Sequence, residues 1–288
     1  MLDQAASLRR LVDDDVNNIG NKSRKSKIIT VTSGKGGVGK SNFVVNLGVL
    51  LQSKGKKVLI FDADLGMGND DVLMGLYPKN NIFDMIFTDL TLKDIIITGS
   101  NGVSLIPGGT GLNKIEELTE EERCKFLEKL EELDEYDYIL MDTGAGVNKD
   151  ILSFISASEE LVIITTPEPT SLTDAYSLIK ATDYFKLKNQ AKIIVNKAFT
   201  QEEGLETFSK FNKAVSKFLK IKIEYLGCIM DDRRLVQSVR QQKPFVLLYP
   251  NCEAAKCVES IAMKLIGQEI ASSGGAKGLF KRLFNLFS

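Results

Sequence analysis

The chain contains no histidine and no tryptophan, and only 4 cysteines and 6 prolines among its 288 residues. Without an imidazole, general-base chemistry and cation binding must fall to carboxylates, lysines and hydroxyls. The cysteines Cys124, Cys228, Cys252 and Cys257 include no Cys-x-x-Cys pair, and no signal-peptide pattern precedes them. Reduced thiols in a cytoplasm are therefore expected, and neither a disulfide scaffold nor an iron–sulfur carrier is. No apolar run approaches the roughly 20 residues needed to span a bilayer. Neither sign of charge dominates: 37 basic against 38 acidic residues leave a net charge of −1. That balance argues against a globally basic nucleic-acid binder, so no nucleic-acid partner is expected. A hydrophobic content of 43% with 26% charged residues suits one large α/β domain with a sizeable core.

From Ile28 onward, short β-branched runs alternate with longer helical patterns. The runs are Ile28–Thr32, Val58–Asp62, Val103–Ile106, Tyr138–Asp142, Leu161–Thr165, Lys192–Asn196 and Tyr225–Ile229. This alternation predicts an α/β fold with a mostly parallel twisted sheet and helices on both faces, with ligands at the carboxyl ends of the strands. Residues 1–27 read as a short N-terminal helix followed by a basic linker, residues 28–267 as the main domain, 268–275 as a Ser/Gly-rich linker and 276–288 as a separate tail. The acidic stretch Glu116–Glu135, with Leu118, Phe126, Leu127, Leu130 and Leu133 interspersed, reads as an ordinary amphipathic helix.

The first strand runs into Gly34-Lys35-Gly36-Gly37-Val38-Gly39-Lys40-Ser41, with a helical pattern from Asn42. A Gly-x4-Gly-Lys-Ser loop between strand and helix wraps phosphates in backbone N–H groups, with Lys40 on the β/γ phosphates and Ser41 on Mg²⁺. A lysine at the start of such a loop cannot easily fold back onto its own loop's phosphates. Lys35 is thus better placed to reach a nucleotide held by a facing subunit, which implies a dimer.

Two further segments bring carboxylates to strand ends. In Leu59-Ile60-Phe61-Asp62-Ala63-Asp64, extended alternation puts Asp62 and Asp64 on one side, one to hold a magnesium-bound water and the other to orient the attacking water. Gly66 and Gly68 then permit a mobile switch. Tyr138-Ile139-Leu140-Met141-Asp142 is apolar until Asp142, which can reach the magnesium shell through water.

These motifs resemble the MinD/ParA family of deviant Walker A ATPases across Ile28 to about Gly267. The resemblance implies an ATP hydrolase that uses ATP/ADP and Mg²⁺ as a slow switch. It makes Lys35 the signature lysine acting across an ATP-dependent homodimer, Lys40 and Ser41 the P-loop pair, Asp62 and Asp64 the switch I pair, with Asp64 positioning the water, and Asp142 the Walker B aspartate. Nucleotide contacts are implied for Gly36, Gly37, Val38, Gly39, Asn42 and Asn196, the last as reader of the adenine ring. Metal contacts are implied for Ser41, Asp62 and Asp142. Gly227–Asp232 matches the second adenine-side loop, and Lys197 stands where arginine is common.

The termini narrow the expectation. Asp3-Gln4-Ala5-Ala6-Ser7-Leu8-Arg9 is similar to the N-terminal motif of the flagellar FlhG (YlxH/FleN) branch of that family. It implies stimulation of an FlhF-like GTPase through Gln4, with Leu8 and Arg9 alongside, and contact with flagellar switch (C-ring) components. The alternative is packing of this helix on the domain. In the tail, Leu279, Phe280, Leu283, Phe284 and Phe287 fall on one helical face with Lys277, Lys281 and Arg282 on the other. Such a helix suits an anionic lipid surface and resembles the family's membrane-targeting helix. The alternative is docking on the protein's own core, and both hold if ATP-driven dimerisation releases it. The expected location is cytoplasmic, with reversible peripheral association with the inner face of the cell membrane. Competing functions are division-site selection of the MinD type and, less closely, ParA-like DNA partition.

Overall fold

The computed structural model describes residues 26–64, 68–82, 84–109, 119, 128–267 and 275–287. Eight strands, β1 (Lys27–Ser33), β2 (Val58–Ala63), β3 (Ile97–Thr98), β4 (Ser104–Ile106), β5 (Tyr138–Ala145), β6 (Glu160–Thr165), β7 (Gln190–Ala198) and β8 (Lys222–Met230), form one sheet in the order β3-β4-β2-β5-β1-β6-β7-β8. All neighbours are parallel except β3, which runs antiparallel to β4 at the edge. Seven of these strands were expected. The two-residue β3 carries too little pattern to announce itself. Central strands such as Ile28-Ile29-Thr30-Val31-Thr32 are buried throughout, because helices cover both faces of a parallel sheet. β1 takes in Lys27, which had been assigned to the basic linker, and Ser26 before it is buried with its hydroxyl donating to the Leu133 carbonyl at 2.9 Å.

On one face α1 (Lys40–Ser53) and α7 (Glu253–Ile266) pack against Ile29, Val31, Ile60, Leu140 and Ile164. The other face is covered by α3 (Lys149–Ala157), α4 (Pro169–Tyr184), α5 (Gln201–Phe218) and α8 (Gly275–Phe287). A short α2 (Asp70–Met74) follows β2, and α6 (Arg233–Arg240) follows β8. Within the acidic stretch, Leu130–Glu135 form a 3₁₀ helix where an α-helix was expected, and most of the preceding part lies outside the described residues.

The tail sits on the protein. In α8, Ala276, Leu279, Phe280, Leu283 and Phe284 are buried among Ile28, Phe61, Leu133, Met141 and Phe154. The Phe280 ring meets Phe61 edge-on at 5.7 Å and 66°, and the Ala276 N–H donates to Asp134 Oδ1 at 2.7 Å. The expected apolar stripe is therefore present and is covered by the protein's own core. The Phe287 side chain and the motif residues Gln4, Leu8 and Arg9 lie outside the described ones.

Candidate nucleotide site

The loop after β1 is shaped by two close approaches. A Cβ on Gly34 would lie 2.2 Å from the Asp174 backbone, so α4 passes against a position where only glycine fits. Gly39 adopts a left-handed φ of 92°, and a Cβ there would stand 2.3 Å from Asn196 Nδ2. The 14-residue α1 then begins at Lys40 with no side-chain cap and no acidic residue in its first turn. Its leading N–H groups and the positive end of its dipole are left for an external anion. Added carbons at Gly36 and Gly37 would meet nothing within 4 Å, so the loop's rim faces open space.

Below the loop lies a buried charged cluster. Register places Asp62 on β2 beside Asp142 on β5, both on the α1 face of the sheet. Lys40 is 8% exposed, and its Nζ donates to Asp142 Oδ1 at 2.6 Å. Burial raises the Asp142 carboxyl above its ordinary range against the opposing pull of Lys40 and the Ser41 hydroxyl. Asp62 accepts from the N–H groups of Asp64 (3.1 Å) and Asp70 (3.5 Å). Burial first, then the neighbouring Asp142, pushes Asp62 up to about 7.

A third carboxylate belongs to this cluster. Asp70 is fully buried, and neither of its oxygens has a hydrogen-bond partner. Burial, then the charges of Asp142 and Asp62, hold it well above the usual carboxylate range, with Lys40 opposing. Sequence reasoning missed it because Asn69-Asp70-Asp71 reads as a solvated turn. Fully ionised, the three carboxylates would exceed the Lys40 ammonium by two negative charges, the charge of one divalent cation, and without such a cation the cluster holds protons instead. Among the described residues no group of three or more acidic or cysteine side chains closes round a metal unaided. Magnesium suits such a place, since it takes one or two carboxylates and completes its shell with water and substrate phosphate.

The cluster has a testable signature. Asp62, Asp70 and Asp142 all bind protons more tightly folded than unfolded, so their contribution to stability is lost as pH rises above the unfolded value, about 4, that of Asp62 through its folded value of about 7. In EDTA without nucleotide, Asp70→Asn is expected to be more stable than the parent by about 1–3 kcal/mol near pH 8, the gain shrinking towards pH 4. Urea unfolding at both pH values measures this, and a pH-independent difference would refute it.

The other expected residues take distinct places. Asp64 is half-buried and faces Gly144, where an added carbon would lie 3.6 Å from Asp64 Oδ1. Lys35 is held within its own chain, its Nζ 3.0 Å from both Glu168 Oε2 and Thr170 Oγ1 at the start of α4. The pair is solvent-exposed and so weak enough to exchange. Asn196 braces the loop, with Nδ2 donating to the Val38 carbonyl at 2.7 Å. Lys197, in a left-handed conformation with φ 57°, donates from Nζ to the Gly37 carbonyl at 2.8 Å. Beside them opens a groove of about 420 Å³ lined by Asn42, Phe43, Met230, Asp231, Val239 and Phe245 among others. The expected adenine-side loop Gly227–Asp232 thus meets Asn196. The apolar wall from α6 and Phe245 was not foreseen, since it depends on long-range packing. The described cysteines, Cys228, Cys252 and Cys257, are free buried thiols, and Cys124 lies outside the described residues.

A glycine loop feeding an uncapped helix, with a lysine paired to a strand-end carboxylate at the centre of a parallel sheet, defines a P-loop nucleotide hydrolase. A family model described as an AAA domain matches residues 26–197. The chain is 33% identical over 240 residues to the antiactivator FleN of Pseudomonas aeruginosa, covering 83% of this chain and 86% of that protein. It is 36% identical over 275 residues to the flagellum site-determining protein YlxH of Helicobacter pylori, covering 90% of each. Among solved structures, MinD of Pyrococcus horikoshii complexed with Mg-ADP superposes with a TM-score of 0.67 at 25% identity, covering 84% of this chain and 96% of that one. The chain belongs to the MinD/ParA family and is an ATPase, similar to flagellar regulators as well as to MinD. Among the described residues no helix is long and apolar enough to cross a membrane.

Proposed function

We propose that the chain is an ATP-driven switch that controls flagellar number and placement, cycling between a cytoplasmic monomer and a membrane-bound dimer. The observation that carries the nucleotide half of this reading is the Lys40–Asp142 pair at the head of an uncapped helix. The N–H groups of Gly36, Gly37, Val38, Gly39 and Lys40 wrap the phosphates, and Lys40 exchanges Asp142 for the β/γ oxygens. Asn42 and Asn196 line the base groove. Magnesium, held by Ser41 with Asp62 and Asp142 through water, would neutralise phosphate charge as the bond breaks. Asp64 orients the attacking water. Lys35 leaves Glu168 and Thr170 to reach the nucleotide of a second copy, which makes hydrolysis depend on dimerisation.

The membrane half rests on α8. Its buried face offers the same side chains to either the protein core or a lipid interface, so transfer between these two apolar surroundings is nearly balanced. A modest rearrangement on dimerisation can then tip it, and two anchors on one body hold more firmly than one. Residues 1–25, ahead of the buried Ser26, act as a tethered activator segment, and 268–274 link the main domain to the tail. The flagellar assignment is supported by FleN and YlxH at 33% and 36% identity, against 29% for MinD of Synechocystis. On this reading Gln4 enters the active site of an FlhF-like GTPase, and the dimer meets flagellar C-ring components.

The deciding experiment measures the GTPase rate of the cognate FlhF with a peptide of residues 1–20 and with its Gln4→Ala counterpart. Stimulation by at least about tenfold, lost with Gln4→Ala, is expected by analogy with water-orienting glutamines. Absence of stimulation by the peptide and by the full chain would remove the GTPase role and bring division-site selection forward.

A further inference from the structure

A second cavity, of about 570 Å³, lies at the end of the sheet opposite the phosphate loop, where the chain enters β7 and β8. Four cationic side chains from three separate segments line it: Lys186 and Lys188 before β7, Lys220 before β8, and Arg282 from the tail. Among the described residues the single carboxylate there, Asp183, is already engaged, with Oδ1 accepting from the Ile221 N–H at 2.8 Å and Oδ2 from the Lys220 N–H at 3.2 Å. In a chain of net charge −1 this is a strong local excess of positive charge.

The arrangement is built into the fold. Lys188 Nζ donates to the carbonyls of Ser156 and Ser158, and Arg282 donates to that of Ala157 at 3.3 Å, so the two cations grip one helix end, that of α3, from the loop and from the tail. The Lys186 and Lys220 side chains stand exposed at the mouth, beside the exposed ring of Tyr184. Like charges lining one cavity repel, and an anion seated among them relieves that repulsion while accepting from several donors at once. The volume exceeds that of a chloride or a water and suits a tetrahedral oxyanion with an attached group.

We propose that this cavity binds a phosphate group, free or on a phospholipid headgroup, and that it is complete only while the tail is docked. Because Arg282 belongs to α8, a ligand that uses it favours the docked tail, and docking favours the ligand by the same factor. The link to membrane release rests on the tail reading above, whereas the anion site does not.

The test uses the full chain with ADP and Mg²⁺ filling the nucleotide site, titrated with inorganic phosphate against chloride at matched ionic strength. The parent's Tm is expected to rise by roughly 2–5 °C as phosphate saturates, while Lys186→Glu with Lys220→Glu abolishes the rise. If that pair is poorly folded, Lys186→Gln with Lys220→Gln should weaken it. Arg282→Gln should weaken the response too, which separates a site completed by the tail from one in the loops alone.

Vesicles of phosphatidylglycerol and phosphatidylcholine, against phosphatidylcholine alone, distinguish the source. Anionic-vesicle binding lost several-fold in the lysine variants, with no response to inorganic phosphate, assigns the site to a headgroup. A response to phosphate, with vesicle binding unaltered by the lysine changes, assigns it to the free anion. Equal phosphate response in parent and lysine variants, or no response to either probe, overturns the proposal. A phosphate response without any vesicle binding by the parent leaves the anion site standing and removes the membrane reading.

Discussion

Lys40→Ala is expected to lower the ATPase rate at least about a hundredfold, the scale on which a preorganised charge at a phosphoryl centre acts. The same substitution should abolish ATP-dependent dimerisation, seen as an unchanged sedimentation coefficient with ATP and Mg²⁺. Its effect on the fold is a separate matter. Lys40 is the cation paired with a buried carboxylate, and removing one partner of a buried pair typically costs about 3–5 kcal/mol. The metal-free variant should therefore melt well below the parent. Adding Asp142→Asn removes the stranded charge and should recover much of that stability without recovering activity. If the double variant regained hydrolysis, Lys40 would be acting on the fold alone; if the single variant dimerised with ATP, the proposed cycle would fail.

Phe280→Ala is the second large effect. A tail serving only a lipid surface would leave the stability of the free protein untouched when this ring is cut back. Phe280 is instead 3% exposed and packed edge-on against Phe61. Truncating a buried phenylalanine costs about 3–5 kcal/mol. A clear fall in the urea midpoint without nucleotide or lipid is the expected result, accompanied by weaker binding to anionic vesicles with ATP. Lys281→Ala, on the exposed side of the same helix, should spare stability and weaken only vesicle binding. Unchanged stability in Phe280→Ala would mean that the docked tail does not represent the chain in solution.

The sequence made the phosphate loop and the strand-end aspartates legible because each is a local pattern: a glycine spacing after a β-branched run, or an apolar strand broken by a carboxylate. The α/β alternation predicted a mostly parallel sheet with helices on both faces, but neither the strand order nor the pairing of Asp62 with Asp142. Asp70 escaped because nothing local distinguishes a buried aspartate from a solvated one, and its burial is set by α1 and β5, distant in sequence. Lys35 was read as reaching outward, and its hold on Glu168 and Thr170 depends on where α4 begins. The tail shows the limit most clearly. An apolar stripe with cationic flanks is equally suited to a membrane and to a hydrophobic groove, and no property of the stripe alone chooses between them.

Strand β2 carries Phe61 on the face covered by the tail and Asp62 on the face that holds Lys40 and Asp142. Successive residues of a strand point to opposite sides of the sheet. One peptide bond therefore lies between the ring that seats the tail and a carboxylate of the proposed catalytic centre. On the proposed cycle no long relay of helices would be needed for the state of the phosphates to be felt at the tail, because a small twist at the end of this one strand would move both side chains together, like two ends of a rocker.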